Sequence, residues 1–84
     1  MNTEKTFADR LKELRNIRNY TQEELGKITN ISVQSIRRYE QGRLNEEPSA
    51  YNLLQLAKAL DVTPEYLLIG DNNMTSYTEA IEAT

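Results

Sequence analysis

The sequence predicts an all-α fold: a compact bundle of five short helices within residues 1–70, followed by an acidic, polar tail over residues 71–84. Apolar residues recur at i, i+4 and i+7, as in Phe7, Leu11 and Leu14, the spacing of one helix face. Hydroxyl residues stand before the apolar segments at Thr6, Thr21, Ser32, Ser49 and Thr63, where a side-chain oxygen can accept from the first free amides of a helix. No stretch alternates apolar and polar residues as a half-buried strand would.

Helix 1 is expected to start at the cap Thr6, with Asp9 at its third position, and to bury Phe7, Leu11, Leu14 and Ile17. Arg10, Lys12 and Arg18 lie off that stripe and are read as solvated. Asn19 is a candidate for the left-handed residue that ends the helix. Helix 2 opens on a capping box, Thr21 with Glu24, and on an apolar staple between Tyr20 and Leu25. It runs to about Ile28, with Leu25 and Ile28 toward the core. Asn30 then suits a left-handed turn, because Asn tolerates positive φ. Ser32 caps helix 3, Val33 to about Gln41, and Gly42 fits the position that ends it. Ile36, Tyr39 and Glu40 share its inner face, leaving Val33, Gln34, Arg37 and Arg38 on the opposite one. Ser49 caps helix 4, which buries Leu53, Leu56, Ala57 and Leu60. Thr63 caps helix 5, and Pro64 takes its first position, where a missing amide costs nothing. Gly70 stops it.

The chain of 84 residues is long enough for one modest core. It has no cysteine and no histidine, so thiolate metal sites, the common zinc sites and Ser-His or Cys-His nucleophile pairs are excluded. No catalytic residue, metal ligand or cofactor site is read from the sequence, and no enzyme is expected. No apolar run approaches the roughly 20 residues that span a bilayer, and the N-terminus lacks the apolar core of a signal peptide. A soluble cytoplasmic protein without a membrane partner is expected. The net charge of −3 is unevenly spread: residues 1–45 hold nine Lys/Arg against six Asp/Glu, residues 46–84 one against seven. A basic working face with an acidic remainder is one reading of that asymmetry, and an ordinary mixed surface is the other.

Two short helices joined by three residues, the second rich in polar and arginine side chains, form a helix-turn-helix over residues 21–43. With Gln22, Glu23 and Leu25 on the first helix, Ile31 and Ser32 at the turn, and Ser35, Ile36, Arg38, Tyr39, Glu40 and Gly42 on the second, the chain resembles the helix-turn-helix regulators of the phage Cro and lambda-repressor type. The resemblance runs from about Phe7 to Gly70. It implies a five-helix DNA-binding domain, an ion pair between Arg15 and Glu40, and a contact from Gln22 to the DNA backbone. At the first helical position, free amides and the helix dipole favour a phosphate.

The N-terminal residues of a recognition helix reach base edges in the major groove. Gln pairs with adenine, Arg with guanine, and Val touches a thymine methyl, so Val33, Gln34 and Arg37 are the expected base readers. Ser32, Ser35, Arg38 and Arg43 are expected to contact phosphate or sugar. The competing reading leaves Arg37 and Arg38 as plain surface charges. The loop GRLNEEP over residues 42–48 departs from the family: it is longer than usual and carries Glu46 and Glu47, which would weaken binding unless the loop turns away from the duplex.

The leading expectation is a sequence-specific regulator of double-stranded DNA, a repressor acting as a homodimer on a palindromic operator. The alternative is an antitoxin-like or adaptor module that uses the fold to bind another protein, which the acidic second half favours. The tail is either disordered or a short helix in which Met74, Tyr77 and Ile81 join a dimer contact with Leu67 or Ile69.

Overall fold

The computed structural model of the chain describes residues 5–43 and 47–70. Leu44, Asn45, Glu46 and the tail expectations lie outside the described residues. Among the described residues the elements are α1 (Phe7–Ile17), α2 (Gln22–Thr29), α3 (Val33–Glu40), α4 (Ala50–Leu60) and α5 (Pro64–Leu68), with no strand.

Each helix begins where a hydroxyl stands. The Oγ1 atoms of Thr6 and Thr21 accept from the amides of Asp9 and Glu24 at 3.2 and 3.0 Å, and both carboxylates accept in return from the cap amides. Ser32, Ser49 and Thr63 accept from the amides three residues on. The ends are equally local in origin. Asn19 and Asn30 adopt φ 61°, Asp61 φ 59° and Gly42 φ 75°. These left-handed residues turn the chain out of a helix at small steric cost for Asn, Asp and Gly.

Leu11, Leu25, Ile36, Leu56, Leu60 and Leu67 are fully buried and form the core, with Ile31, Tyr39 and Ala57 around them. Burying each large apolar side chain contributes about 1.5–3 kcal/mol. The helices α1 and α2 pack against α3, while α4 packs against α2 and α5. Phe7 meets Tyr39 edge-on, with centroids 6.2 Å apart, a favoured aromatic geometry. The Tyr39 hydroxyl accepts from Asn52 Nδ2 at 3.1 Å, tying α3 to α4.

Four expectations need correction. Ile28 is 52% exposed, not in the core. The inward positions of α2 fall to Leu25, Gly26 and Thr29, and Ile28 lies one position off that face. Ile17 is 67% exposed: it lies beyond Leu14 and Arg15, with which the inward side of α1 ends. Arg10, expected in solvent, is only 7% exposed. Its Nε donates to the Leu67 carbonyl at 2.9 Å and its Nη2 to that of Leu68 at 2.6 Å. The last carbonyls of a helix have no partner within it, and Arg10 of α1 supplies donors for those of α5. Leu67 is fully buried, so it cannot serve as a dimer contact, whereas Ile69 beside it is half exposed.

Candidate nucleic-acid interface

The site is built on α3 and on the way α2 presents it. Between the two helices the chain turns at Asn30, and the Ile31 amide donates back to the Gly26 carbonyl at 3.1 Å. The approach is close: a Cβ on Gly26 would stand 2.8 Å from the Ile31 carbonyl oxygen. Glycine in a helix interior costs about 1 kcal/mol relative to Ala, and here it lets the turn fold flat against α2. Ile31 and Ile36 then enter the core, which fixes the roll of α3 about its axis.

With Ile36, Tyr39 and Glu40 turned inward, the other side of α3 faces solvent. Gln34, Arg37 and Arg38 are exposed, Val33 and Ser35 half-buried at the helix start, and Ser32 is exposed at the cap. Ser32 Oγ donates to Ser35 Oγ at 3.0 Å while accepting from the Ser35 amide. Arg38 Nη2 donates to Ser35 Oγ at 3.4 Å. These three expected backbone-contacting side chains therefore form one short polar chain along the edge of α3. Arg43 follows Gly42 and is exposed. Glu47, across the undescribed 44–46 segment, is exposed as well.

Behind this surface lies a buried hub. The Glu40 carboxylate accepts from Arg15 Nε at 2.7 Å, from Arg15 Nη2 at 3.0 Å and from Gln22 Nε2 at 3.1 Å. The side chains of Arg15 and Glu40 are 13% and 3% exposed. The hydrogen bond to Glu40 raises the Arg15 pKa above its ordinary value; burial opposes this, and the charges of Glu40 and Glu23 add to it. Three helices meet at one carboxylate. Gln22, half-buried at the first position of α2, gives one of its two Nε2 hydrogens to Glu40 and keeps the other.

Arg37 has a partner that helix periodicity did not reveal. Its Nη2 lies 3.3 Å from Glu23 Oε2 on α2, with both side chains largely in solvent. Glu23, in the first turn of α2 where a carboxylate complements the helix dipole, thus also reaches α3, while Glu24 fills the capping role expected of it. Gly26 was also missed, although a glycine inside a helical pattern is itself a signal of close approach. Among the described residues no group of His, Cys, Asp and Glu is arranged to hold a metal ion, and no helix is long and apolar enough to cross a membrane.

Residues 11–67 match the family model HTH_3, described as Helix-turn-helix. The chain belongs to this helix-turn-helix family. Over 76 residues it is 38% identical to Repressor protein C2 of Salmonella phage P22, a match covering 90% of this chain and 34% of that protein. Over 68 residues it is 34% identical to the HTH-type transcriptional regulator DicA of Escherichia coli K12, covering 81% of this chain and 49% of that one. The chain thus spans about a third to a half of the length of these curated relatives. Among solved structures it is similar to the P22 c2 repressor crystallised with synthetic operator 9T in the presence of Tl⁺, with TM-score 0.75 and 35% identity over 81% of this chain and all of that one. It is also similar to the restriction-modification controller protein C.AhdI of Aeromonas hydrophila, with TM-score 0.66 and 35% identity over 74% of this chain and 91% of that one. Both likenesses agree with the all-α helix-turn-helix fold.

Proposed function

We propose that this helix-turn-helix protein is a sequence-specific, double-stranded DNA-binding transcriptional regulator, a cytoplasmic repressor that binds a palindromic operator as a homodimer. The observation that carries this reading is the outward side of α3. It presents Gln34 and Arg37 to solvent while Ile36, Tyr39 and Glu40 anchor the helix from behind, and a relative of the same fold was crystallised on an operator. In this reading Val33, Gln34 and Arg37 meet base edges in the major groove. Gln22, Ser32, Ser35, Arg38 and Arg43 hold phosphate and sugar and set the register. Gln22 has the spare Nε2 hydrogen that a phosphate oxygen needs. In this reading a second copy covers apolar side chains exposed on or just after α4 and α5, Tyr51, Leu54, Leu68 and Ile69. Occupancy is the mechanism: the dimer covers a promoter and excludes polymerase.

Equilibrium binding to a duplex between about 50 and 200 mM salt tests this. Arginine contacts from Arg38 and Arg43 in two protomers predict a log–log slope of roughly −3 to −4. Binding that ignores salt, or none at all, contradicts the reading.

A further inference from the structure

The exposed ion pair between Glu23 and Arg37 bears on how such a surface would tell one sequence from another. Arg37 is the cation among the expected base readers of α3, and its Nη2 lies 3.3 Å from a carboxylate in the first turn of the neighbouring helix. That carboxylate stands next to Gln22, the expected phosphate contact, and so close to where a polyanion would lie. A negative charge in that place opposes the approach of any duplex. Its contribution to the fold is small, a dipole contact at the start of α2 and a charge interaction with Arg15, because exposed pairs contribute little to stability.

We propose that Glu23 is a specificity-determining residue, which holds Arg37 and cancels its charge until a base edge of matching geometry takes the guanidinium over. This rests on the DNA-binding reading above and deepens it. On a duplex of arbitrary sequence, Arg37 would otherwise swing to the nearest phosphate, adding affinity without information. Paired with Glu23, it contributes little to that non-specific attraction. A guanine offering O6 and N7 accepts both arms of the fork and is neutral, so Glu23 does not repel it, whereas a phosphate, which can also take both arms, carries a negative charge that the Glu23 carboxylate repels. Discrimination then comes from penalising the wrong partner as much as from rewarding the right one. The device needs a carboxylate that reaches Arg37, not merely a negative charge on α2.

The test compares four proteins, wild type, Glu23→Gln, Glu23→Asp and Arg37→Ala, together with the double variant Glu23→Gln/Arg37→Ala. Each is titrated with the duplex that the wild type selects from a random library and with a duplex of scrambled sequence. Both positions are exposed, and thermal melting confirms that each variant is folded. Glu23→Gln is expected to tighten the scrambled duplex more than the selected one, lowering their affinity ratio by about two- to fivefold, the range of an exposed ion pair. Glu23→Asp keeps the charge but withdraws it by one methylene, and is expected to lower the ratio in the same direction. In the Arg37→Ala background, Glu23→Gln is expected to leave the ratio unchanged. Equal tightening of both duplexes by Glu23→Gln, wild-type behaviour of Glu23→Asp, or an undiminished effect without Arg37 would each overturn the proposal and leave DNA binding intact. Failure of the wild type to select any sequence would overturn the DNA-binding reading and this inference together.

Discussion

Arg15 and Glu40 lie 25 positions apart and meet through two hydrogen bonds, Nε to Oε2 at 2.7 Å and Nη2 to Oε1 at 3.0 Å. The pair is nearly dry and is completed by Gln22. It joins α1 and α3, and through Gln22 also α2, so the surface proposed to meet DNA is braced from behind by a charged contact.

Breaking that contact on one side strands the other. Glu40→Ala is expected to cost roughly 3–5 kcal/mol of unfolding free energy in urea denaturation, because the Arg15 guanidinium remains without its anion. Replacing both residues with apolar ones of similar volume should recover most of the loss. A Glu40→Ala variant as stable as the wild type would show that the pair does not brace α3.

Arg10 gives a second, independent prediction. Its guanidinium satisfies carbonyls of Leu67 and Leu68 and is itself almost fully buried. Arg10→Met fills similar space but leaves those carbonyls without donors, at a cost of about 1–3 kcal/mol each where they stay dry. Hydrogen exchange at α5 should accelerate more than at α2 or α3, since the loss is local to the α1–α5 contact. Uniform acceleration would contradict that placement.

Gly26→Ala should also destabilise, here through backbone geometry. The new Cβ would lie 2.8 Å from the Ile31 carbonyl, a contact that only a shift of the turn relieves. The loss is expected near 1–3 kcal/mol, with DNA affinity falling further than stability because α3 is re-aimed. An Ala variant as stable as the wild type would show that the turn can yield.

These cases mark how far the sequence could be read. Helix starts were legible because capping is local: Thr21 with Glu24, or Ser32 with Ser35, depends on residues three apart. The ends at Asn19, Asn30 and Gly42 were legible for the same reason. The Arg15–Glu40 pair was legible only through family resemblance, since no local rule links positions so distant. Arg10 was misread because periodicity locates a face but does not say which neighbour covers it; α5 covers this one with bare carbonyls, which an arginine satisfies. Ile28 is apolar but out of phase with the inward face of α2, whereas the polar Thr29 is in phase and satisfies its hydroxyl on the Leu25 carbonyl at 2.7 Å. The Glu23–Arg37 pair was invisible because the angle between α2 and α3 decides it.

Acid should reveal the α1 capping box. The Thr6 amide and then the Thr6 hydroxyl hold the Asp9 carboxyl below its ordinary value of 3.8. A depressed folded value adds stability above the unfolded one and loses it as pH falls through the folded one. The melting temperature should therefore drop below about pH 4, and Asp9→Asn, which lacks the contribution throughout, should show a smaller drop over the same range. Parallel curves for the two proteins would exclude Asp9 as a source of acid sensitivity.

Arg37→Ala and Arg43→Ala should differ in kind. Loss of a base reader costs about 1–3 kcal/mol on the selected duplex and relaxes preference at one position. Loss of Arg43, one contact in each protomer, weakens all sequences alike and flattens the log–log salt slope by about 2. Equal losses on selected and scrambled duplexes for Arg37→Ala would refute its base-reading role.

The most direct check of the outward side of α3 is a titration of the isotope-labelled chain with its selected duplex, followed through backbone amide and arginine side-chain resonances. The predicted result is that the largest shifts fall on Gln22, on Ser32 to Arg38 and on Arg43, with the Arg37 guanidinium leaving Glu23. Shifts concentrated on α4 and α5, with α3 unmoved, would contradict the account.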